Sequence, residues 1–374
     1  MSADSEPFNQ AAYIVGRNVK PLQVRRAPYT KPGSGEIVIR TRAVAINPVD
    51  HIIQNSNLIY GHLKYPTVLG FDVSGEVVEV GKNVTRFQKG DRVVGSAAAT
   101  VEKINSAAHG GFQRYTVLLA HMASPIPDDL SFEEASVIPL GLDTAASGLF
   151  QKDQLGLEYP TVPAAKPPTG KTVLVWGGST SVGCNAIQIA VAAGYEVVTT
   201  CSPRNFALVK SLGASQAFDY NSGTVVKDIK RAFMGRTVAG AMSIGHGAAH
   251  KCLDILATCR GAKALTMISY PMPKSPPKRF VLIRTVFTYL TGMISIWIKA
   301  KRHGIRTGIV DGYNIINNEV GPMIYQEYLP DALAERAFVP APKAEIVGHG
   351  LENAQRAMDL LQEGVSAKKL VITL

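Results

Sequence analysis

The stretch TVLVWGGSTSVGCNAIQIAVAAGYEVVTTCSPRNFALVKSLGASQAFDY (172–220) decides the fold of this 374-residue chain. Strand and helix patterns alternate along it, in the order TVLVW (172–176), NAIQIAVAAG (185–194), EVVTTC (196–201), NFALVKSLG (205–213) and SQAFDY (215–220). The connections are short, and Gly194 ends the first helix. This β-α-β-α-β order predicts an α/β protein with a parallel sheet of the kind that binds dinucleotides.

The segments on both sides of this stretch have a different pattern. In the N-terminal third, short β-branched runs are separated by turn signals, as in EIVIRTRAVAI (36–46), SGEVVEV (74–80) and DRVVGSA (91–97). Residues 313–374 combine a helix, a loop and a last strand, LVITL (370–374). We therefore expect one domain interrupted by another, with 1–141 and 313–374 enclosing a six-stranded parallel domain at 142–312.

Composition limits the class of protein. Hydrophobic residues make up 46% of the chain and charged residues 18%, which excludes a disordered chain, a coiled coil and a fibrous repeat. The four cysteines are scattered without a CxxC pair, and the N-terminus MSADSEPFNQ has neither the basic nor the apolar region of a secretory signal. Both features predict a reducing compartment, with the cytoplasm as the location.

The net charge of +10 comes from one segment. Between Asp254 and Asp311 there is no acidic residue. The same interval contains ten basic residues: Arg260, Lys263, Lys274, Lys278, Arg279, Arg284, Lys299, Lys301, Arg302 and Arg306. The rest of the chain has as many acidic as basic residues, so the excess is a local feature and does not indicate a general affinity for nucleic acid.

A glycine-rich turn, GGSTSVG (177–183), joins the first strand of the alternating stretch to its first helix. Small residues let the backbone approach a pyrophosphate, and the start of the helix offers free N–H groups and the positive end of its dipole. We expect a cofactor-phosphate site formed by Gly178, Ser179, Thr180, Ser181, Val182 and Gly183. The spacing differs from GxGxxG, and the alternative is an ordinary tight turn.

The end of the second strand distinguishes between the two nicotinamide dinucleotides. A fold that binds NAD usually has Asp or Glu there to hold the ribose 2′-hydroxyl, but this strand continues into Ser202, Pro203, Arg204 and Asn205. Arg204 can bind a 2′-phosphate, and Ser202 and Asn205 add neutral donors. We therefore expect NADPH as the cofactor. Tyr220, after the third strand, either flanks the adenine or ribose or is an aromatic residue of the rim.

The chain resembles the medium-chain dehydrogenase/reductases along nearly its full length. The matching motifs are NPVD (47–50), GFDVSGEVVEVG (70–81), FQKGDRVVG (87–95), GGFQRY (110–115), PLGLDTA (139–145) and the glycine-rich turn. Within that superfamily, CSPRNF (201–206) and the ending from Val347 are most similar to zinc-independent fungal members, which include trans-acting enoyl reductases of polyketide synthases. The resemblance implies a Rossmann-type, doubly wound parallel sheet inserted into a β-rich, GroES-like substrate domain.

Zinc alcohol dehydrogenases of this superfamily would require a Cys near position 47, a His-Glu pair after Gly70 and a lobe with four cysteines. This sequence has Asn47 and the pair Phe71-Asp72 at those positions, and it lacks the lobe. Scattered histidines are more typical of loops than of a metal site; they are His51, His62, His109 and His121. We expect no metal, and without a Lewis acid the chemistry moves away from alcohol oxidation.

Three functions remain open. The leading hypothesis is hydride transfer from NADPH to an α,β-unsaturated carbonyl or thioester, of the kind met in fungal secondary metabolism. Quinone reduction is a second enzymatic possibility. A catalytically silent NADPH-binding scaffold or sensor is an alternative from another class.

The resemblance implies catalytic roles for three residues. Asn47 and Asp50 would line the nicotinamide side of a cleft between the domains, and Thr144 would contact the nicotinamide or the substrate. A donor there would stabilise the enolate as hydride arrives. A capping or turn role is the alternative for each, and Asp50 in particular can cap a helix. Related enoyl reductases often have a Lys shortly after the aspartate, where this chain has His51, so the proton donor is not assigned.

Residues 280–298, FVLIRTVFTYLTGMISIWI, have marginal length for a membrane span and contain Arg284. Polar residues recur there with helical spacing and predict an amphipathic helix with a wide apolar face: Arg284, Thr288, Thr291, Ser295, Lys299, Arg302 and Arg306. The helix lies between the predicted strands KALTMIS (263–269) and TGIVDG (307–312). A lid over the cleft, a dimer or partner surface and a peripheral membrane contact are the three interpretations.

The basic segment also bears on partners. Substrates bound to coenzyme A or to acyl carrier proteins carry phosphates, and a basic patch can steer them at low salt. We expect a small-molecule or acyl-thioester substrate, with an acidic carrier protein as a further candidate partner. No nucleic acid and no transmembrane segment are expected, and the chain is expected to be a monomer or homodimer.

Overall fold

The computed structural model describes residues 7–55, 60–273 and 280–374. The chain forms two compact units, residues 1–140 with 321–374 and residues 141–320. Most of the N-terminal stretch MSADSEPFNQ lies outside the described residues, as do three of the ten basic residues between Asp254 and Asp311: Lys274, Lys278 and Arg279.

The described strands and helices have the following bounds. The strands are β1 (Asn9–Ile14), β2 (Gln23–Ala27), β3 (Glu36–Ala45), β4 (Thr67–Val68), β5 (Asp72–Val80), β6 (Arg92–Ser96), β7 (Tyr115–Leu119), β8 (Ala123–Pro125), β9 (Lys171–Trp176), β10 (Glu196–Cys201), β11 (Gln216–Asp219), β12 (Thr237–Ser243), β13 (Arg260–Gly261), β14 (Ala264–Met267), β15 (Arg306–Ile309), β16 (Lys343–His349) and β17 (Lys368–Thr373). The helices are α1 (Pro48–Asn55), α2 (Phe132–Ala135), α3 (Pro139–Phe150), α4 (Ser181–Ala192), α5 (Phe206–Ser211), α6 (Val225–Ala232), α7 (Ala248–Leu256), α8 (Val281–Arg302), α9 (Val320–Pro322), α10 (Leu329–Ala334) and α11 (Asn353–Glu363).

The first unit is β-rich, as the sequence predicts. Its larger sheet has the order β16-β17-β3-β5-β6-β8, with β7 also paired to β3, and a smaller sheet has the order β2-β1-β4. The ten-residue strand β3 is central, since it pairs antiparallel with β5, β7 and β17. Ala45 at its end is opposite both Val371, in the middle of β17, and Asp72, the first residue of β5, so the three strands lie side by side at this point.

The second unit contains the predicted parallel sheet. Its order is β11-β10-β9-β12-β14-β15, and every pair is parallel. The chain builds outward from β9 in one direction and then from β12 in the other, which is the doubly wound arrangement. The expected count of six strands is corrected to seven, because the two-residue strand β13 pairs with β12. Both residues of β13 are exposed, so the sequence contains no apolar run that would predict this strand.

Helix α8 forms where the sequence predicts it, but only a narrow part of its apolar surface is buried in the core. Ile296 and Ala300 pack into the core with Leu253 and Leu256 of α7. Apolar side chains on other faces of α8 are exposed, among them Phe287 and Trp297. Arg306 does not continue the polar stripe, since it lies in β15 and donates to the carbonyl of Asp153 at 2.6 Å. No helix in the described parts of the chain is both long and apolar enough to cross a membrane.

Candidate nucleotide edge and buried polar cluster

The glycine-rich turn leads directly from β9 into α4. Its Gly177 has a φ of +94°, and its Gly178 donates its N–H to the carbonyl of Thr200 at 2.8 Å. Thr180 caps α4, because its hydroxyl accepts the N–H of Gly183 at 3.0 Å. The turn has no room for side chains at two glycines: a Cβ on Gly178 would lie 2.0 Å from the Thr199 hydroxyl, and one on Gly183 would lie 2.2 Å from the carbonyl of Gly177. The two glycines therefore let the backbone of the turn pack tightly against the start of the twelve-residue helix α4, and helix N-termini in general attract anions.

The residues predicted to select the cofactor come together at the carboxyl ends of three parallel strands. After β10, Pro203–Asn205 form one turn of 3₁₀ helix. The Asn205 amide donates to the Ser179 hydroxyl at 3.2 Å, which joins this turn to the glycine-rich one. The Ser202 hydroxyl donates to the Tyr220 hydroxyl after β11 at 3.3 Å. Arg204 is exposed beside them and forms no ion pair with any residue that the structure describes.

Lys251 of α7 is a further cation at this edge that the sequence did not indicate. Its ammonium donates to the carbonyl of Tyr220 at 3.2 Å and lies 5.2 Å from the centre of the Trp176 ring. We call the whole set the nucleotide edge: Gly177–Gly183, Ser202–Asn205, Tyr220 and Lys251. It has two cations and no Asp or Glu directly after β10, and so it suits a ligand that carries several phosphates.

Thr144, in the same unit, lies in the second turn of α3, which starts at Pro139. Gly141 packs against α4, because a Cβ there would lie 2.5 Å from the Ser181 hydroxyl. The Thr144 hydroxyl lies close to Gly312, because a Cβ added to that glycine would be only 2.9 Å from the hydroxyl oxygen. Contacts of this kind hold residues near Gly312 to α3, and they explain why this unit extends to Val320 and not to the expected 312.

A buried polar cluster lies in the first unit, near the end of β3 and near the starts of β5 and β17. The Asn47 amide donates to Asp72 at 2.9 Å, and the Lys369 ammonium lies 2.6 Å from the Asn47 oxygen and 2.8 Å from the Asp72 carboxylate. Asp72 also accepts the N–H of Leu140 at 2.6 Å. The Lys369 side chain is 5% exposed and that of Asp72 is fully buried. We call Asn47, Asp50, Asp72 and Lys369 the buried polar cluster.

Asp50 completes this cluster from the first turn of α1. Pro48 begins the helix, and the Asp50 carboxylate accepts the N–H of Asn47 at 2.8 Å and that of Gly70 at 3.0 Å. The capping role weighed from the sequence is therefore present. Burial raises the pKa of Asp50 from 3.8 to about 7, although the two backbone hydrogen bonds act in the opposite direction.

The buried polar cluster does not fit a zinc ion. Its members at the positions where zinc ligands would be needed are Asn47 and Asp72, both bonded to the Lys369 ammonium. A second cation would meet this positive charge and would find no thiolate or imidazole. His62 contacts the carbonyl of Thr100, and His109 contacts Glu36. Over the described ranges, no three His, Cys, Asp or Glu side chains converge in a way that could hold a metal.

The other sequence candidates are placed separately. Burial and the neighbouring Lys20 lower the pKa of His51, which lies near the Lys20–Asp359 ion pair. Asn47 and Asp50 belong to the first unit, whereas Thr144 and the nucleotide edge belong to the second.

Sequence reasoning missed Lys369. A usable signal was the pair Lys368-Lys369 at the start of the strand β17, because neighbouring side chains of a strand point to opposite faces and one of the two must point inward.

Comparisons with known proteins agree with this division. The family model described as an alcohol dehydrogenase GroES-like domain matches residues 33–128, within the first unit, and the model described as a zinc-binding dehydrogenase matches residues 181–271, within the second. The chain is 52% identical to the dehydrogenase pigH of Monascus ruber, over 98% of this chain and 100% of that protein. It is 35% identical to the trans-enoyl reductase himH of Aspergillus japonicus, over 98% and 97%.

The fold has solved relatives. A crystal structure of an alcohol dehydrogenase superfamily protein from Novosphingobium aromaticivorans superposes with a TM-score of 0.73 over 98% of this chain and 99% of that one, at 21% identity. The parallel sheet and the β-rich unit thus recur together in a known architecture.

Proposed function

The chain belongs to the medium-chain dehydrogenase/reductase superfamily, and on that basis we propose that it is a zinc-independent, NADPH-dependent reductase of carbon–carbon double bonds conjugated to a carbonyl or thioester. The observation that carries the proposal is the contact of the Lys369 ammonium with Asn47 and Asp72. A dehydrogenase that polarises an alcohol oxygen with zinc needs metal ligands at these positions, and here they surround a cation of the protein itself. The 35% identity to a protein named as a trans-enoyl reductase supports the same reaction class.

The nucleotide edge is where we propose that the cofactor binds. NADPH supplies the hydride when it is bound. Backbone N–H groups of the glycine-rich turn and of the start of α4 would bind its pyrophosphate. Arg204 and Ser202 would bind the 2′-phosphate, while Tyr220 would flank the adenine or ribose. Lys251 adds positive charge to the same edge.

Asn47, Asp50 and Thr144 are the proposed residues of the reaction. As hydride reaches the double bond, negative charge develops on the carbonyl oxygen of the substrate, and the Thr144 hydroxyl would donate to it. Asn47 would contact the nicotinamide side. Its amide orientation is fixed by Asp72 and Lys369. Asp50 would act as a positioning residue, because its carboxylate already accepts two backbone N–H groups.

A cofactor-oxidation screen tests the reaction class. The purified chain would be mixed with NADPH and, separately, with a cyclic enone, crotonyl-coenzyme A, a benzoquinone and a saturated aldehyde. We expect oxidation with the enone or the thioester and none with the aldehyde. Turnover with the quinone alone would favour quinone reduction, and tight NADPH binding without any turnover would favour a silent scaffold or sensor. Elemental analysis should find no stoichiometric zinc.

Cofactor choice has its own matched test. Arg204→Ala should weaken NADPH binding by about 1–3 kcal/mol, since a charged hydrogen bond to the 2′-phosphate is lost, and should barely change NADH binding. The control is Arg231→Ala, an exposed arginine of α6 in the same unit. Equal affinity of the unmodified protein for NADPH and NADH, measured by calorimetry, would contradict the proposed preference.

A further inference from the structure

Helix α8 is attached to the second unit by a narrow face. Its 22 residues span about 33 Å at 1.5 Å per residue. Ile296 and Ala300 are buried in the core, and Lys299 contacts Asp254 at 2.7 Å and the carbonyl of His250 at 3.0 Å. These contacts belong to the C-terminal half of the helix and fix its direction.

The face opposite these contacts is apolar and exposed. Its central line runs through residues spaced alternately by four and three positions, the repeat of one helix face: Ile283, Phe287, Leu290, Ile294 and Trp297. Val286 and Ile298 lie beside that line, Leu282 is exposed in the first turn on the side of the helix that also carries Ala300, and Phe280 precedes the helix. We call these nine residues the apolar stripe. They are nine of the twenty large hydrophobic residues exposed over the described chain, so the exposure is concentrated in one patch and not scattered.

The apolar stripe is bordered by positive charge. Arg284 is exposed near its start, and Lys301 and Arg302 are exposed at its end. The Lys301 ammonium lies 5.0 Å from the centre of the Trp297 ring, which places a cation directly beside the largest apolar side chain. Since residues 255–310 contain no Asp or Glu, no carboxylate from this segment offsets these charges.

Charge and polarity together select the occupant of the stripe. A second copy of the chain would bring the same cations against each other. An acidic protein would match the charge, but protein interfaces usually make a hydrogen bond every 100–200 Å², and the stripe consists only of hydrocarbon and aromatic side chains with one indole N–H. A lipid surface needs large apolar side chains with Trp or Phe and a border of Lys or Arg, which is what α8 offers.

We propose that α8 binds the surface of a membrane that contains anionic lipids. The helix lies parallel to the bilayer, the apolar stripe enters the boundary between headgroups and acyl chains, and Arg284, Lys301 and Arg302 meet lipid phosphates. This inference concerns a surface outside the nucleotide edge and the buried polar cluster, and it does not depend on the proposed reaction.

Flotation of the full chain with lipid vesicles tests the proposal. We expect binding to phosphatidylcholine vesicles that contain about one-third phosphatidylserine, and binding at least about tenfold weaker to phosphatidylcholine alone, because three cations contribute to the attraction. The triple variant Phe287→Ser, Ile294→Ser and Trp297→Ser should lose binding. Its control is Met234→Ser, an exposed apolar residue elsewhere in the same unit, which should bind unchanged. All three changed side chains are exposed, so the variant should unfold at the same urea concentration as the unmodified protein.

Charge reversal separates the two parts of the attraction. Lys301→Glu with Arg302→Glu should reduce binding to anionic vesicles about tenfold or more, while Lys210→Glu with Lys227→Glu, two exposed lysines of α5 and α6, should not. Tryptophan fluorescence gives an independent signal, since Trp297 is exposed and the other tryptophan, Trp176, is buried. Emission should shift to the blue on binding, and Trp297→Phe should abolish the shift but keep flotation.

Three outcomes overturn the proposal. The first is an unmodified protein that floats with neither kind of vesicle. The second is a protein that sediments as a dimer without lipid, with the triple variant a monomer, in which case the stripe is an interface between copies. The third is stripe-dependent binding of an acidic acyl carrier protein without binding of vesicles, in which case the partner is a protein.

Discussion

The buried polar cluster and the apolar stripe reverse the usual placement of residues in opposite ways. In the first unit a lysine and an aspartate are 5% and 0% exposed. In the second unit Trp297 is 57% exposed and Phe287 is 67% exposed. A buried charge costs free energy unless it has a partner of opposite charge or a hydrogen bond, and an exposed apolar patch costs free energy unless an apolar surface covers it. The two regions differ in where the compensation comes from.

The buried polar cluster compensates its own burial. Lys369 contacts both Asn47 and Asp72, and Asp72 also accepts a backbone N–H, so its polar atoms are bonded inside one unit. The apolar stripe has no such partner among the residues that the structure describes, because its side chains are exposed. The first region is therefore complete within its own unit, whereas the proposed compensation for the second is a lipid surface.

The largest effect is expected at Lys369. Lys369→Met leaves the fully buried Asp72 carboxylate without its cation, and we expect the free energy of unfolding to fall by about 3–5 kcal/mol. Lys368→Met is the matched control, since the neighbouring Lys368 pairs with Glu345 on the surface. That change should cost no more than about 1 kcal/mol. Urea unfolding followed by circular dichroism measures both, and equal midpoints for the two variants would mean that the cluster tolerates the loss of its cation.

The next effect compares two isoleucines on one helix. Ile296 is 3% exposed and Ile294 is 56% exposed, although they are two positions apart in α8. Ile296→Ala should cost about 2–4 kcal/mol because it leaves a cavity in the core, and Ile294→Ala should change stability by less than about 0.5 kcal/mol. If thermal unfolding showed equal losses for both, Ile294 would have to be buried in solution, and the stripe would already be covered.

The pH dependence that Asp50 gives to the buried polar cluster is spread over about three pH units, so the effect within any one unit is smaller. Its pKa is raised to about 7 in the folded chain from 3.8, so between these values the folded state holds a proton that the unfolded state has released. The contribution of Asp50 to stability is complete below about pH 4 and is lost as the pH rises towards 7, by at most about 1.4 kcal/mol per pH unit.

Two variants isolate the contribution of Asp50 to the pH dependence of stability. Asp50→Asn should flatten the fall in the urea midpoint between pH 5 and pH 7, whatever its effect at a single pH. Asp331→Asn, at an exposed position of α10, should leave the slope unchanged. A slope that both variants share with the unmodified protein would show that Asp50 is ionised over the whole range.

The parallel sheet could be predicted because its signals are local. The strand β10 has the bounds expected from EVVTTC, and the contacts of Ser202 with Tyr220 and of Asn205 with Ser179 follow from the meeting of parallel strands at one edge. The helix predicted from position 185 begins at Ser181, because Thr180 caps it and Gly183 lies within it. The first turn of α4 contains a glycine and few apolar residues, so the pattern of apolar residues did not indicate where the helix starts.

The partners of two cations and the buried face of one helix could not be predicted, for a shared physical reason. Lys369 meets Asn47 across 322 positions, and Lys251 meets Tyr220 across 31, so no local motif contains both partners of either contact. For α8 the sequence indicates the helix and its two kinds of surface. Which surface is buried depends on the shape of α7 beneath it, which accepts Ile296 and Ala300 and leaves the apolar stripe outside.

The smallest loss of stability is expected at a second lysine–aspartate pair, Lys299 with Asp254. The Lys299 ammonium lies 2.7 Å from Asp254, and the Lys369 ammonium lies 2.8 Å from Asp72, so the two pairs differ mainly in burial. Lys299 is 26% exposed and Asp254 is 46% exposed. Lys299→Met should therefore cost only about 0.2–1 kcal/mol at low salt and almost nothing at high salt, because water and ions screen an exposed pair. The loss in Lys369→Met should be the same at both salt concentrations, and Lys227→Met, an exposed lysine of α6, should show no loss at either. A salt-dependent loss at Lys369 would contradict the distinction, since it would mean that ions reach the buried polar cluster as easily as they reach the surface of α8.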